Sequence, residues 1–200
     1  MYKESINLKN EEASYKTISS LIKIARKHFT ECGYFDVSLE KIAEEGNVTR
    51  GAVYHHFKSK KGLLIAVLES VQKDVVTHIE TEASKGDDPW QQLIFGCVGF
   101  IKGANAKDNR RIFLIDAPAA LGWEIWRKYD RENSMNALEK HIIDLKVQGY
   151  LKDSIDTELM TFSISGALNE LALAYSENDK LGENDPFFIT ISQLVSGFKK

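Results

Sequence analysis

The stretch that decides the fold runs from Ser38 to Lys61 and reads SLEKIAEEGNVTRGAVYHHFKSKK. It predicts two short helices, the first capped by Ser38 and the second by Thr49, because both hydroxyls can accept a free N–H of a helix start. The turn between them holds Gly46 and Asn47, and the short polar side chain of Asn tolerates a left-handed backbone. Two helices joined by a turn of about three to four residues form a helix-turn-helix.

The second of these helices has a polar face that can read DNA. An Arg such as Arg50 can bond guanine bidentately in the major groove, and Gly51 lets the helix come close. Hydroxyl and amino groups can bond phosphate oxygens. The apolar residues are predicted to face the core, namely Leu39, Ile42, Ala43, Val48, Val53 and Phe57. The predicted DNA contacts are Ser38, Thr49, Arg50, Gly51, Tyr54, His55, Lys58 and Lys60.

Charge is unevenly distributed along the 200 residues, whose net charge is -3. Residues 1–62 hold eleven Lys and Arg against eight Asp and Glu, whereas the remainder is acidic. No acidic residue lies between Asn47 and Gly62, a span that holds Arg50, Lys58, Lys60 and Lys61. A local basic segment in an acidic protein suits an anionic partner such as DNA, although a solvated basic surface would have the same composition.

The rest of the chain has helical periodicity, only three prolines and 43% hydrophobic residues, which predicts an all-α fold with a sizeable core. Residues 1–62 are expected to form a loose polar arm, up to Glu12, and a three-helix DNA-binding domain. Residues 63–200 are expected to form a larger helical regulatory and dimerisation domain. The nine predicted helices span 13–32, 38–45, 50–57, 59–84, 90–103, 109–117, 121–147, 156–175 and 185–198.

The segment from Ser14 to Leu68 resembles the N-terminal domain of the TetR family of transcriptional regulators. Phe29, Gly33 and the pair Tyr34–Phe35 match the family's first helix and loop. Gly46 stands where the family usually has Ala, and it is expected to weaken the helix end by less than about 1 kcal/mol. Asn47 stands where Gly is usual. The residues in register with the family's motif are Ser38, Ile42, Ala43, Val48, Thr49, Gly51, Tyr54, His56, Phe57, Lys60 and Leu63.

The resemblance implies a repressor that binds a palindromic operator in double-stranded DNA as a homodimer, with half-sites about 34 Å apart or a multiple of that distance. It also implies that the last two helices form the dimer interface. A ligand would shift the population between two spacings of the DNA-binding helices, with the fourth helix as the lever. The predicted interface residues are Leu159, Ile164, Leu168, Leu171, Ile191, Leu194, Val195 and Phe198. The run from Ile112 to Arg127 also resembles one group of TetR-like C-terminal domains.

The middle helices are expected to enclose a pocket for a small apolar or aromatic effector, because clefts between bundle helices are common ligand sites. Asp116 lies within an apolar run, where a carboxylate must be paired, capping a helix or facing a cavity. Any one of the aromatic residues of these helices is more often part of the core than a ligand contact. The candidate pocket residues are Phe95, Phe100, Phe113, Asp116, Trp123, Trp126, Tyr129, Met160 and Tyr175.

Other classes of protein are not favoured by the sequence. Histidines stand without metal-ligand spacing, and there is no phosphate-binding loop or nucleophile elbow, so we expect no catalytic residues, metal or cofactor. Cys32 and Cys97 form no motif, and neither a signal peptide nor an apolar run of membrane length occurs, which predicts a cytoplasmic protein with no membrane partner. A regulator controlled by a partner protein, and more distantly a helical-bundle enzyme, remain alternatives.

Overall fold

The computed structural model describes residues 2–175 and 181–200, with side chains from residue 12 onward. The described chain is helical throughout, apart from loops and one isolated antiparallel bridge between Leu151 and Lys199. Two π-helical segments, Arg111–Asp116 and Arg131–Met135, continue directly into α6 and α8. The α-helices are α1 Tyr2–Cys32, α2 Leu39–Glu45, α3 Arg50–Phe57, α4 Lys60–Ala83, α5 Pro89–Asn105, α6 Ala117–Leu121, α7 Trp123–Asp130, α8 Asn136–Val147, α9 Thr157–Ala174 and α10 Pro186–Ser196.

Six helices begin where a side chain can accept a backbone N–H. Ser38, for example, accepts from the amide of Lys41 at 3.2 Å, and Asp88 accepts from that of Gln91 at 2.8 Å. Such bonds satisfy donors that have no partner inside the helix, which is why short polar residues precede helices. These caps confirm the helix starts that the sequence predicts, and they are made by Ser38, Thr49, Ser59, Asp88, Asp156 and Asp185.

The prediction of a loose arm up to Glu12 is wrong for the described residues, because α1 begins at Tyr2. The stretch 2–12 contains no Pro or Gly and several Lys and Glu, which are good helix formers. Extending an existing helix adds a hydrogen bond for each residue fixed, so α1 continues backward without a new nucleus. Met1 lies outside the described residues.

Two predicted helix boundaries in the body are also wrong. The helix predicted to end before Pro118 continues through it, because Pro118 stands in the first turn of α6, where a missing N–H is tolerated. The next helix starts at Trp123 rather than Leu121, because Gly122 has a φ of +85° and breaks the helical conformation there. The π-helical segment Arg131–Met135 then widens this helix in the middle.

Helices α4 and α5 pack closely along their length as an antiparallel pair: Gly96 of α5 lies near Ala83 of α4, and Gly103 lies near Val75. Gly99 of α5 allows this close approach, since a Cβ there would lie 2.6 Å from the carbonyl oxygen of His78. The first half of α4 carries Leu63, Leu64, Val67 and Leu68, all fully buried, in a cluster that also includes residues of α1 and α3. Helix α4 therefore belongs to both the N-terminal helices and the body. Among the described helices, none has the length and apolarity needed to cross a membrane.

Candidate nucleic-acid interface

Helices α2 and α3 form the helix-turn-helix that the sequence predicts. The turn closes with hydrogen bonds from the amide of Gly46 to Ile42 and from the amide of Val48 to Ala43, both 3.0 Å long. Asn47 has a φ of +51°, which confirms the left-handed conformation expected of it. Because these bonds fix the backbone that leads out of α2, they hold α3 at a defined angle to α2.

Gly46 has a packing role that the sequence did not indicate. A Cβ at this position would lie 2.8 Å from Cδ2 of Leu21, a buried residue of α1, and 3.2 Å from the carbonyl oxygen of Ile42. The glycine therefore lets α1 pack closely on the end of α2. The expectation that Gly46 only weakens the helix end leaves out this contact.

One side of α3 faces solvent, as the pattern predicted. Val53 is fully buried and Phe57 nearly so, which fixes the rotation of the helix. Thr49 Oγ1 accepts a hydrogen bond from the amide of Ala52 at 3.1 Å, and the Tyr54 side chain is 52% exposed. The exposed residues on this side, called here the α3 face, are Thr49, Arg50, Gly51, Tyr54, His55 and Lys58.

Arg50 is held on the α3 face by an ion pair with Glu40 of α2. Its Nη1 lies 2.9 Å from Oε1 of Glu40, and both side chains are more than half exposed. The pKa of the Glu40 carboxyl is lowered, chiefly by a hydrogen bond from its own backbone amide and then by the charge of Arg50. Exposed ion pairs contribute little to stability, so a phosphate or a base edge can replace Glu40 at low cost. Sequence reasoning did not identify Glu40.

Lys60, another predicted DNA contact, is engaged within the protein. Its Nζ donates to the carbonyl oxygen of Phe35 at 3.2 Å and lies 4.4 Å from the centre of the Tyr34 ring. Burial lowers the pKa of Lys60. These contacts tie the loop after α1 to the start of α4. Lys60 and the capping residue Ser38 therefore stand beside the α3 face with roles in the fold itself.

A brace between α1 and α2 supports the helix-turn-helix from behind. The buried His28 places Nε2 at 2.6 Å from Oε2 of Glu45, and Lys27 lies 3.3 Å from the other carboxylate oxygen. Hydrogen bonds from His28, first, and Lys27 lower the pKa of Glu45. The pairing of His28 with Glu45 was not predicted, because no sequence pattern links residues that lie 17 positions apart on separate helices.

Asp116, predicted as a pocket residue, lies instead where the helix-turn-helix meets the body. Its Oδ2 accepts from the backbone amide of Tyr34 at 2.8 Å, and Nε of Arg111 lies 3.5 Å away. Only 5% of Asp116 is exposed. A second link lies nearby, where Arg26 of α1 donates to Asp74 of α4 and to the side-chain oxygen of Asn109. The buried Asp116 carboxylate is thus stabilised by the backbone N–H of Tyr34, and this bond joins the body to the helix-turn-helix, a contact called here the joint.

The body contains a cavity of about 180 Å³ between α4, α5, α8 and α9, which is partly open to solvent. Among the predicted pocket residues, Phe100 lines it. Phe113, Trp126 and Met160 are buried in the core, and Trp123 is 61% exposed. Three others are partly buried and lie away from the cavity wall. The prediction failed for them because helical periodicity does not specify which neighbour a residue contacts. They are Phe95, which packs on Phe188, Tyr129, and Tyr175, which packs on Phe187.

The predicted interface residues on α9 and α10 separate into two groups. Leu159 is 64% exposed, and Leu171, Leu194 and Phe198 are partly buried, but Ile164, Leu168, Ile191 and Val195 lie in the chain's own core. The last four are therefore wrong as surface residues, because the stripe they form packs inward. The exposed large apolar side chains on these two helices, called here the α9–α10 face, are the predicted Leu159 and three residues that were not predicted, Phe162, Leu173 and Ile189.

Comparison with known proteins agrees with this architecture. Residues 21–67 match the family model described as bacterial regulatory proteins of the tetR family, and residues 90–197 match the tetracyclin repressor-like C-terminal domain. The Transposon Tn10 TetC protein of Escherichia coli is 25% identical over 189 residues, which cover 92% of this chain and 93% of that protein.

Solved structures give the same result. A TetR-family transcriptional regulator from Pectobacterium atrosepticum is 28% identical, with a TM-score of 0.69 over 93% of this chain and 92% of that one. The transcriptional regulator FadR of Bacillus subtilis, solved in complex with stearoyl-CoA, shares the fold with a TM-score of 0.69 at 19% identity, over 90% of this chain and 98% of that one. With both domains matched and the helix-turn-helix in place, this chain belongs to the TetR family of bacterial transcriptional regulators.

Proposed function

We propose that this protein is a cytoplasmic, ligand-responsive repressor that binds a palindromic operator as a homodimer and has no enzymatic activity. The observation that carries the proposal is the α3 face, whose exposed Thr49, Arg50, Tyr54, His55 and Lys58 surround a glycine on a firmly held helix. Such a face suits the major groove, where side chains read base edges and helix starts bond phosphates. Residues 1–62 would serve DNA binding, and residues 63–200 ligand binding and dimerisation.

Dimerisation is supported by the α9–α10 face. Its four exposed apolar side chains lie on α9 and α10, the last two helices of the body, whereas the DNA-binding residues lie on and around α3 near the start of the chain. A single helix-turn-helix makes few contacts, whereas two copies related by a two-fold axis can bind successive half-sites. The match to a repressor-like C-terminal domain supports negative control of the operator.

Ligand control is supported by the position of the cavity. Ile79, Glu80 and Ala83 at the end of α4 line it, and the other end of the same helix packs in the helix-turn-helix core. A ligand that binds one position of α4 better than the other would shift the population of the dimer between two spacings of α3. The joint at Asp116 and Tyr34 gives a second contact through which the body constrains α1 and α2.

The proposal is tested by selecting bound sequences from random double-stranded DNA with the intact protein. The expected result is an inverted repeat bound by a dimer, with affinity lost in an Arg50→Ala, Tyr54→Ala double variant. Lys140→Ala, a change of an exposed residue on α8, serves as the control and should leave the selected sequence unchanged. Enrichment of no sequence, or a motif bound equally by the double variant, would overturn the assignment of the α3 face.

A further inference from the structure

We propose that the cavity binds a compact, uncharged molecule with an apolar body and one hydroxyl or carbonyl group, and that Ser134 and Ser165 bind this polar group. This inference rests on the ligand-responsive function proposed above and specifies the chemistry of its ligand. It follows from the size of the cavity, its apolar wall and the hydrogen-bonding state of two buried serines.

The deep part of the cavity is apolar. Its wall consists of buried side chains from α5, from the second π-helical segment and from α9, namely Leu93, Cys97, Phe100, Met135 and Leu168. Burial raises the pKa of the Cys97 thiol to about 12, so this sulfur is uncharged at neutral pH. A cavity of about 150 Å³ with apolar walls binds benzene. The volume of about 180 Å³ therefore suits a molecule with one ring and small substituents.

The two serines on the cavity wall belong to one hydrogen-bonded network. Ser134 Oγ donates to Oδ1 of Asp130 at 2.7 Å, and Arg127 donates to Oδ2 of Asp130 at 2.9 Å and to Ser165 Oγ at 3.0 Å. Ser134 thus keeps a lone pair for a ligand donor, and Ser165 keeps its proton for a ligand acceptor. A hydroxyl group can bond both serines, and a carbonyl can accept from Ser165.

The network also explains why the ligand should be uncharged. Asp130 is 1% exposed and is neutralised by Arg127, so the pair presents no net charge to the cavity. A charged ligand group beside the two serines would have to lose its water without meeting an opposite net charge, which is costly in an apolar site. Among the residues described as lining the cavity, Glu80 is the acidic one and is exposed, and the Nε2 of His141, the basic one, lies 2.8 Å from the carbonyl oxygen of Pro89.

The experiment uses the intact protein and four probes that share one ring: para-cresol, toluene, para-toluate and para-methylbenzylammonium. Binding is measured by calorimetry and by the rise in Tm, without DNA. We expect para-cresol to bind about two- to tenfold more tightly than toluene, since that is the factor by which one net hydrogen bond raises affinity. Neither charged probe should raise Tm.

Two variants test whether the serines carry this preference. Ser165→Ala and Ser134→Ala should each reduce para-cresol affinity about three- to tenfold and leave toluene binding unchanged. Ser163→Ala is the matched control, because Ser163 lies on the exposed side of α9 and donates to the carbonyl oxygen of Leu159. Circular dichroism checks that each variant is folded. If Ser165→Ala does not fold, the Ser134→Ala variant and the probe series still decide.

Equal affinity for para-cresol and toluene, tighter binding of a charged probe, or no binding of any probe would overturn the inference. Its failure differs from that of the proposed function. If para-cresol binds as expected but a selected operator is still bound with unchanged affinity, ligand control fails while the chemistry of the cavity stands. If a charged fraction of a metabolite extract lowers the affinity of the protein for the operator and the neutral fractions do not, the proposed function stands and this inference fails.

Discussion

The two ends of the molecule use acidic side chains in opposite ways. At the helix-turn-helix, Glu40 and Glu45 are exposed, each is paired with a base, and the pKa of each is lowered. In the body, Asp130 is buried, and burial raises its pKa despite the nearby Arg127 and Ser134. The exposed Glu40–Arg50 pair can be exchanged for contacts with DNA at little cost, whereas the buried Asp130–Arg127 pair must stay intact. The side-chain contacts of the α3 face can therefore change when DNA binds, whereas those of the cavity wall stay the same.

The largest effect is expected from breaking the buried pair. Arg127→Met should lower the free energy of unfolding by about 3–5 kcal/mol, because it leaves the Asp130 carboxylate buried without its partner. Replacing both residues, Arg127→Met with Asp130→Leu, should recover most of this loss. Urea unfolding of the single and double variants measures the difference.

The exposed pair provides the matched comparison for that experiment. Glu40→Gln, which removes the partner of Arg50, should change the free energy of unfolding by less than about 1 kcal/mol. A loss as large as that of Arg127→Met would show that the two ends do not differ in the way described.

An intermediate effect is expected on DNA binding. Arg50→Ala should weaken the selected operator by about 1–3 kcal/mol and relax the base preference at one position of each half-site, if Arg50 reads guanine. Lys58→Ala should weaken all sequences alike and reduce the salt dependence by about one unit of slope for each site, because a phosphate contact releases a counterion. Binding isotherms at several salt concentrations separate the two, and identical behaviour of both variants would contradict their assigned roles.

The smallest effect is expected on the pH dependence of stability, and it has opposite signs at the two ends. The lowered pKa of Glu45 means that its contribution is present above the pKa of the unfolded chain and is lost as pH falls through the folded value. The raised pKa of Asp130 means that stability is lost as pH rises through its folded value. In a plot of the free energy of unfolding against pH, Glu45→Gln should reduce the loss of stability at acidic pH. Asp130→Asn should reduce the loss of stability that occurs as pH rises above the ordinary pKa range of a carboxyl group.

Unfolding free energies from pH 3 to 8 test this assignment. The difference between each variant and the parent protein is the quantity to compare, since other carboxyls titrate in the same range. If both variants shift the profile in the same direction, the contrast between the exposed and the buried acids is not the cause of the pH dependence.

The sequence by itself determined what depends on near neighbours in the chain. Ser38, Thr49 and Asp88 cap helices through bonds to residues three positions on, and Asn47 adopts the turn conformation that its own side chain permits. The family motif has the same origin, because its residues lie within one short segment. The α3 face follows from this local geometry once Val53 and Phe57 are placed inward.

Only the tertiary structure decided which apolar and charged residues of distant helices meet. Helix α9 has apolar residues on more than one side, so periodicity could not separate the buried Ile164 and Leu168 from the exposed Phe162 and Leu173. Asp116 finds its partner 82 positions earlier, at the amide of Tyr34. The cavity exists because α4, α5, α8 and α9 leave a gap that their packing sets. The sequence therefore determined the helix-turn-helix, whereas long-range packing decided the cavity, the joint and the exposed face of the body.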